Sequence, residues 1–231
     1  FFISSCTKRD YKHFIVVIDT SGSMTESQLL PSVVGSLETI LAHAQPGDIL
    51  SLLTFDLEAK FHFKWKVKDE STRTQFIEKV KTISALGQWT NLIGALDLSF
   101  KRATESFGSH PDQKNLILLY TDGVHHLPPW IRKKDRTDFD DLYLKHYAEG
   151  PYERLKSQGK SAWFVYYIEL DKGDTDLKRF LSQTESGTLV SKQEFRPALN
   201  FLKPIHDQHP SQWDWLKPSD EWVAVIRKIG L

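Results

Sequence analysis

Apolar positions along the chain fall into short saturated runs separated by stretches with helical spacing. His13-Phe14-Ile15-Val16-Val17-Ile18-Asp19 is a β-branched run closed by an acid, the pattern of a strand covered on both faces. Thr25-Glu26-Ser27-Gln28 fits a reciprocal capping box, and Pro31 is tolerated in the first helical turn that follows. Leu30, Val33, Val34, Leu37, Ile40, Leu41 and Ala44 then recur at helical spacing until Pro46-Gly47-Asp48 closes the helix. Residues 49–55 form a second buried run. Residues 60–68 alternate without a break: Phe61, Phe63, Trp65 and Val67 are expected on one face, and Lys60, His62, Lys64, Lys66 and Lys68 on the other. That predicts a half-exposed strand at a sheet edge, where lysines oppose pairing between molecules.

Phe76, Ile77, Val80 and Ile83 mark a second helix. Leu92, Ala95, Leu96 and Ser99 mark a third, with Asn91 as its cap. Residues 115–123 read as another buried strand running into a turn. Residues 124–150 are polar and irregular, and a connection that long is usually functional. Its acids (Asp135, Asp138, Asp140 and Asp141) lack the spacing of a calcium loop and read as solvated. A short helix is expected at 152–159, an aromatic-rich strand at 161–170, a helix at 176–181 and a last strand at 188–190. A final helix at 219–230 has acids in its first turn, Arg227 and Lys228 in its last, and Gly230 after them. Strands alternating with helices predict an α/β domain with a mostly parallel sheet. Such sheets bind ligands beyond the carboxyl ends of their strands, where strand order reverses. Asp19 and Asp122 each stand at such an end.

The chain has 231 residues, enough for one large domain with a small appendage. Its 30 lysines and arginines balance 30 aspartates and glutamates. A global field that would gather nucleic acid or anionic lipid is therefore missing. No RNA- or DNA-binding motif accompanies the lysine stripe, so no nucleic-acid partner is expected. The single cysteine, Cys6, rules out a disulfide within the chain and any cysteine-rich cluster. Ile3-Ser4-Ser5-Cys6 resembles a bacterial lipobox, in which the cysteine carries the lipid. Residues 1–10 thus read as a leader remnant and linker. Membrane contact is expected only through Cys6, in a cell-envelope setting; a cytoplasmic setting is the alternative.

No Gly-x-Gly-x-x-Gly, Walker loop, His-Glu-x-x-His or Gly-x-Ser-x-Gly is present. What remains is Asp19-Thr20-Ser21-Gly22-Ser23, a carboxylate with hydroxyls two and four residues on, at a turn entering a helix. A hard cation such as Mg²⁺ takes oxygen ligands at about 2.0–2.1 Å in octahedral array. Asp19, Ser21 and Ser23 can supply one side, and neighbouring loops must supply the rest. Taken singly, these residues have ordinary uses as caps and turn formers, as do Thr90 and Asp122.

Asp19-x-Ser21-x-Ser23 resembles the metal-ion-dependent adhesion site of von Willebrand factor type A domains. That family adds a threonine before the third helix and an aspartate after the fourth strand. Gly87-Gln88-Trp89-Thr90-Asn91 and Tyr120-Thr121-Asp122-Gly123 stand in those places. The resemblance spans roughly residues 11–195, with 196–231 as a C-terminal extension ending in a helix. It implies a Rossmann-like, doubly wound sheet of six strands, mostly parallel, with an antiparallel edge strand and helices on both faces. It further implies a Mg²⁺ ion (or Mn²⁺ or Ca²⁺) held by Asp19, Ser21, Ser23, Thr90 and Asp122, directly or through water. One coordination position stays open for a glutamate or aspartate of a protein partner. Trp89, His125 and His126 are expected at the rim of that site. The protein would then be a non-enzymatic, metal-dependent interaction domain. An alternative within the same family is a scaffold subunit for an AAA+ ATPase of the chelatase or MoxR type. A Mg²⁺-dependent phosphotransfer enzyme with Asp19 as nucleophile is a remote third. Phosphatases of the haloacid dehalogenase type place a second aspartate where Ser21 stands, and no catalytic lysine is in register.

Overall fold

In the computed structural model the described residues are 11–26, 29–109, 114–122, 124–131, 163–169 and 187–191, the last two segments as backbone. The expectations for the lipobox at Cys6, the acidic segment 132–150, and the helices at 152–159, 176–181 and 219–230 lie outside them. In chain order the elements are β1 (Lys12–Asp19), α1 (Gly22–Glu26), α2 (Leu30–Leu41), β2 (Ile49–Phe55), β3 (Ala59–Lys66), α3 (Glu70–Lys81), α4 (Leu92–Ser109), β4 (Lys114–Thr121), β5 (Trp163–Glu169) and β6 (Gly187–Ser191).

Every residue of β1 from Phe14 to Ile18 is fully buried. Side chains alternate across a strand, so this one strand feeds two cores. Phe14, Val16 and Ile18 pack with Val33, Leu37 and Ile40 of α2 and Phe76, Ile77 and Val80 of α3. Ile15 and Val17 pack with Leu92, Ala95, Leu96 and Phe100 of α4 on the opposite face. Each such side chain contributes about 1.5–3 kcal/mol on burial, which is why the runs in β1, β2 and β4 are saturated rather than alternating.

The sheet is mixed. β1 pairs in parallel with β2 on one side and β4 on the other, while β3 runs antiparallel along the outer side of β2. The backbones of β5 and β6 continue in parallel beyond β4. After β1 the chain moves to β2 on one side, and it later returns to β4 on the other. The order of strands therefore reverses between β1 and β4, and the loops leaving those two strands flank the crevice.

Two local expectations are corrected. Thr25 does not cap α2; it lies in the short α1, and its hydroxyl donates to the Ala85 carbonyl at 2.7 Å. α2 instead follows Leu29, which supplies no side-chain cap, and Pro31 lies in its first turn. In β3 the alternation is split by a register shift: Leu52 faces Phe63 and Leu53 faces Phe61, leaving His62 as an extra residue. Phe63 and Trp65 consequently pack on the α2–α3 core, whereas Phe61 packs on the α4 core beneath the Arg102 guanidinium, 3.9 Å away. The lysines therefore do not share one face along the whole strand. Val67 lies beyond the strand and is buried with the first core. Among the described residues no helix is long and apolar enough to cross a membrane.

Candidate metal site

Three loops meet at the carboxyl end of the sheet, joined by backbone hydrogen bonds. Gly87 donates to the Thr20 carbonyl (2.9 Å) and accepts from Gly22 (2.6 Å), which zips the loop after β1 to the loop before α4. Thr90 and His126 exchange bonds of 2.8 and 2.9 Å, which fastens that second loop to the one after β4. A side chain at Gly87 has no room: its Cβ would stand 2.5 Å from the Asp56 Cβ and 3.0 Å from the Thr20 carbonyl. Asn91 caps α4 as expected, its Oδ1 accepting from the Gly94 amide at 3.0 Å. Its own amide donates to the Asp56 carbonyl, so the start of α4 is anchored at the end of β2.

The loops enclose a cavity of about 620 Å³ lined by Ser21, Ser23, Thr90 and Asp122, with Thr25, Leu86, Val124 and His126 among its other walls. The Ser23 hydroxyl donates to Asp122 Oδ2 at 2.7 Å and lies 3.1 Å from the Ser21 hydroxyl. Residues 99 apart in sequence are thereby joined across the reversal point. Asp19 is placed differently. It is fully buried and is not part of the cavity wall. Its Oδ1 accepts from the Ser21 amide at 2.8 Å, and its Oδ2 accepts from the Thr121 hydroxyl at 2.6 Å.

Burial pushes the Asp19 carboxyl up to about 6, and the nearby charge of Asp122 adds to this. The hydrogen bonds from Thr121 and Ser21 act in the opposite direction, and burial outweighs them. The candidate donors on the wall are one carboxylate and three hydroxyls, with the Asp19 carboxyl behind them; all are oxygen, a set that would suit a hard dication rather than a softer metal. Such an ion also offsets the unfavourable burial of negative charge that raises the Asp19 carboxyl. Among the described residues there is no group of three or more histidine, cysteine, aspartate and glutamate side chains that could hold a metal. A site here would therefore depend on the serine and threonine hydroxyls.

The expected rim residues separate. His126 is exposed and lines the cavity. Trp89 is half-buried, its ring 4.7 Å from that of His126 and 5.4 Å, edge-on, from that of Trp130. His125 is engaged elsewhere, its Nδ1 accepting from the Leu92 amide at 3.2 Å, at the first turn of α4. Thr121 and Gly87 were not singled out from the sequence. A hydroxyl at the end of the run Leu116 to Tyr120, one residue before the acid, is the available signal for Thr121. For Gly87 no local signal exists, since the crowding comes from Asp56 and Thr20.

Residues 14–125 match the family model of the von Willebrand factor type A domain, and this part of the chain is such a domain. Among curated proteins none matches the sequence. Solved structures of similar fold include a von Willebrand factor type A protein from Catenulispora acidiphila, with TM-score 0.50 and 14% identity over 87% of this chain and 42% of that one. The manganese-loaded TRAP protein of Plasmodium vivax gives TM-score 0.54 and 17% identity over 85% and 73%. The pilus adhesin SpaC of Lactobacillus rhamnosus GG gives TM-score 0.55 and 14% identity over 87% and 30%. The chain thus spans less than half of the first and last of these proteins, and at such identities the likeness concerns the fold.

Proposed function

We propose that this domain is a non-enzymatic, metal-dependent protein-binding module built on a six-stranded, doubly wound sheet. Asp19, Ser21, Ser23, Thr90 and Asp122 would hold Mg²⁺ or Mn²⁺, which supplies a positive charge and an open coordination position for a carboxylate of the partner. The observation that carries this reading is the convergence of Ser21, Ser23, Thr90 and Asp122, from three loops, on one open cavity. Ser21 and Ser23 present hydroxyls and Asp122 a carboxylate. Asp19, with both oxygens already engaged, fixes the Ser21 amide from behind and adds buried negative charge. Two structures of similar fold, one manganese-loaded and one a pilus adhesin, are consistent with a cation and with adhesion. We further propose the cell-envelope setting that Cys6 implies; fatty-acid labelling of the wild type against Cys6→Ala tests it.

The function is tested by a pull-down from native extract in Mg²⁺ and in EDTA, repeated with Ser23→Ala. Capture should need both the ion and the hydroxyl. Capture that survives EDTA and the substitution contradicts the reading.

A further inference from the structure

The cavity that gathers the candidate ligands continues into an apolar rim that the coordination set does not use. Leu86 is 83% exposed and Val124 is 49% exposed, and both line the cavity beside Ser21, Ser23, Thr90 and Asp122. Trp130 is 68% exposed and is buttressed edge-on by Trp89, whose ring in turn rests against His126 on the cavity wall. Large aliphatic and aromatic side chains this open, standing around a polar pit, are a common mark of a recognition surface. The charges are equally telling. Among the described residues lining the cavity, Asp122 is the one formal charge, and no lysine or arginine is present.

We infer that the partner offers a segment in which a single aspartate or glutamate is flanked by a bulky apolar side chain and lacks further acids nearby. The inference rests on the metal-dependent reading above and names the chemistry that this particular site selects. On the described wall, which carries no basic residue, a ligand carboxylate finds no cationic side chain to pair with. Any second acid on the same segment faces Asp122 and is repelled. The neighbouring side chain, by contrast, meets Leu86, Val124 and Trp130, and covering them removes apolar surface from water. Trp130 is suited to an anchoring role because Trp89 already restrains it, so little further ordering is required on binding.

The test is a random-peptide display selection on the full chain in Mg²⁺ with elution by EDTA, alongside calorimetric titration of Mg²⁺ alone. The expected enrichment is one acid with an adjacent aromatic or large aliphatic residue. Leu86→Ser and Trp130→Ser, both at exposed positions, should weaken the selected peptide by about ten-fold and erase the apolar preference. Both variants should still take up Mg²⁺ like the wild type. The inference is overturned, with the metal reading intact, if Mg²⁺ binds and the enriched acids have polar, basic or acidic neighbours, if nothing is enriched, or if the two serine variants select as the wild type does. Absence of Mg²⁺ uptake by the folded wild type overturns the underlying reading, and this inference with it.

Discussion

Replacing Thr121 with valine keeps the shape of the side chain and removes one hydroxyl. That hydroxyl is fully buried and donates to Asp19 Oδ2 at 2.6 Å, while the Ser21 amide holds Oδ1. A hydrogen bond to a charged group contributes about 1.5–3 kcal/mol, and the carboxylate it leaves behind has no access to water. Stability in EDTA should fall by that order. The larger consequence concerns the ion. Loss of a group that orients a metal-site residue typically costs about 10–100-fold in affinity, and Asp19 is connected to the cavity through the very Ser21 segment that Thr121 helps to set. Electron paramagnetic resonance of Mn²⁺, which reports free ion, gives the affinity directly at pH 7.5, where Asp19 is ionised. Thr121→Val should bind Mn²⁺ about 10–100-fold more weakly than the wild type, and Thr121→Ser should recover most of the difference. Equal affinities for Thr121→Val and wild type, or a serine variant as weak as the valine one, would refute the positioning argument.

Gly87→Ala places a methyl group against Asp56 and Thr20; urea denaturation should show a loss of about 1–3 kcal/mol, with Mn²⁺ affinity reduced as the Ser21 and Thr90 loops separate. His13 is buried between Ser51 (2.8 Å) and Asn115 (3.0 Å), and burial, with the Lys64 charge, brings its pKa down from 6.5 to about 3. Below pH 6.5 the unfolded chain takes up the proton first, so the stability that neutral His13 contributes is complete above that pH and is lost as pH falls towards 3. The slope is up to about 1.4 kcal/mol per pH unit. His43, brought down to about 4 by burial, acts in the same direction, and Asp19, raised to about 6, acts in the opposite one. The check is therefore a comparison: between pH 6.5 and about 5, wild type should lose stability more steeply than His13→Gln, and parallel curves would contradict it. Tyr120 is fully buried with its hydroxyl 2.9 Å from that of Ser36; Tyr120→Phe should cost about 0.5–1.5 kcal/mol by thermal denaturation, with Mn²⁺ binding unchanged.

The strands β1, β2 and β4 were legible because burial on both faces leaves few polar positions, Ser51 and Thr54 of β2 among them, and the acids at the ends of β1 and β4 stand out against such runs. The convergence of their loops followed from the rule for strand-order reversal, and the cavity lies where that rule directs. The bulge at His62 was not legible. An inserted residue leaves the period-two pattern of the sequence unbroken while the partner register slips. Leu52 and Leu53 are both apolar, so either face accepts a phenylalanine. The Thr25 capping box failed because its hydroxyl found a distant carbonyl, that of Ala85, 60 residues on. The division of labour between His125 and His126 is likewise tertiary: one meets the amide of Leu92, 33 residues earlier, and the other the cavity. Leu86 and Trp130 are not legible as rim residues, because an apolar residue in a loop carries no mark of whether it is covered.

The central claim is that two carboxylates and three hydroxyls from separate loops together bind one hard dication. Calorimetric titration of Mg²⁺ into the folded wild type and into Ser21→Ala/Ser23→Ala tests it most directly. The expected result is saturable single-site uptake by the wild type, and its loss in a double variant whose urea denaturation curve still shows a cooperative folded state. No uptake by the wild type, or the same uptake by the folded variant, would contradict it.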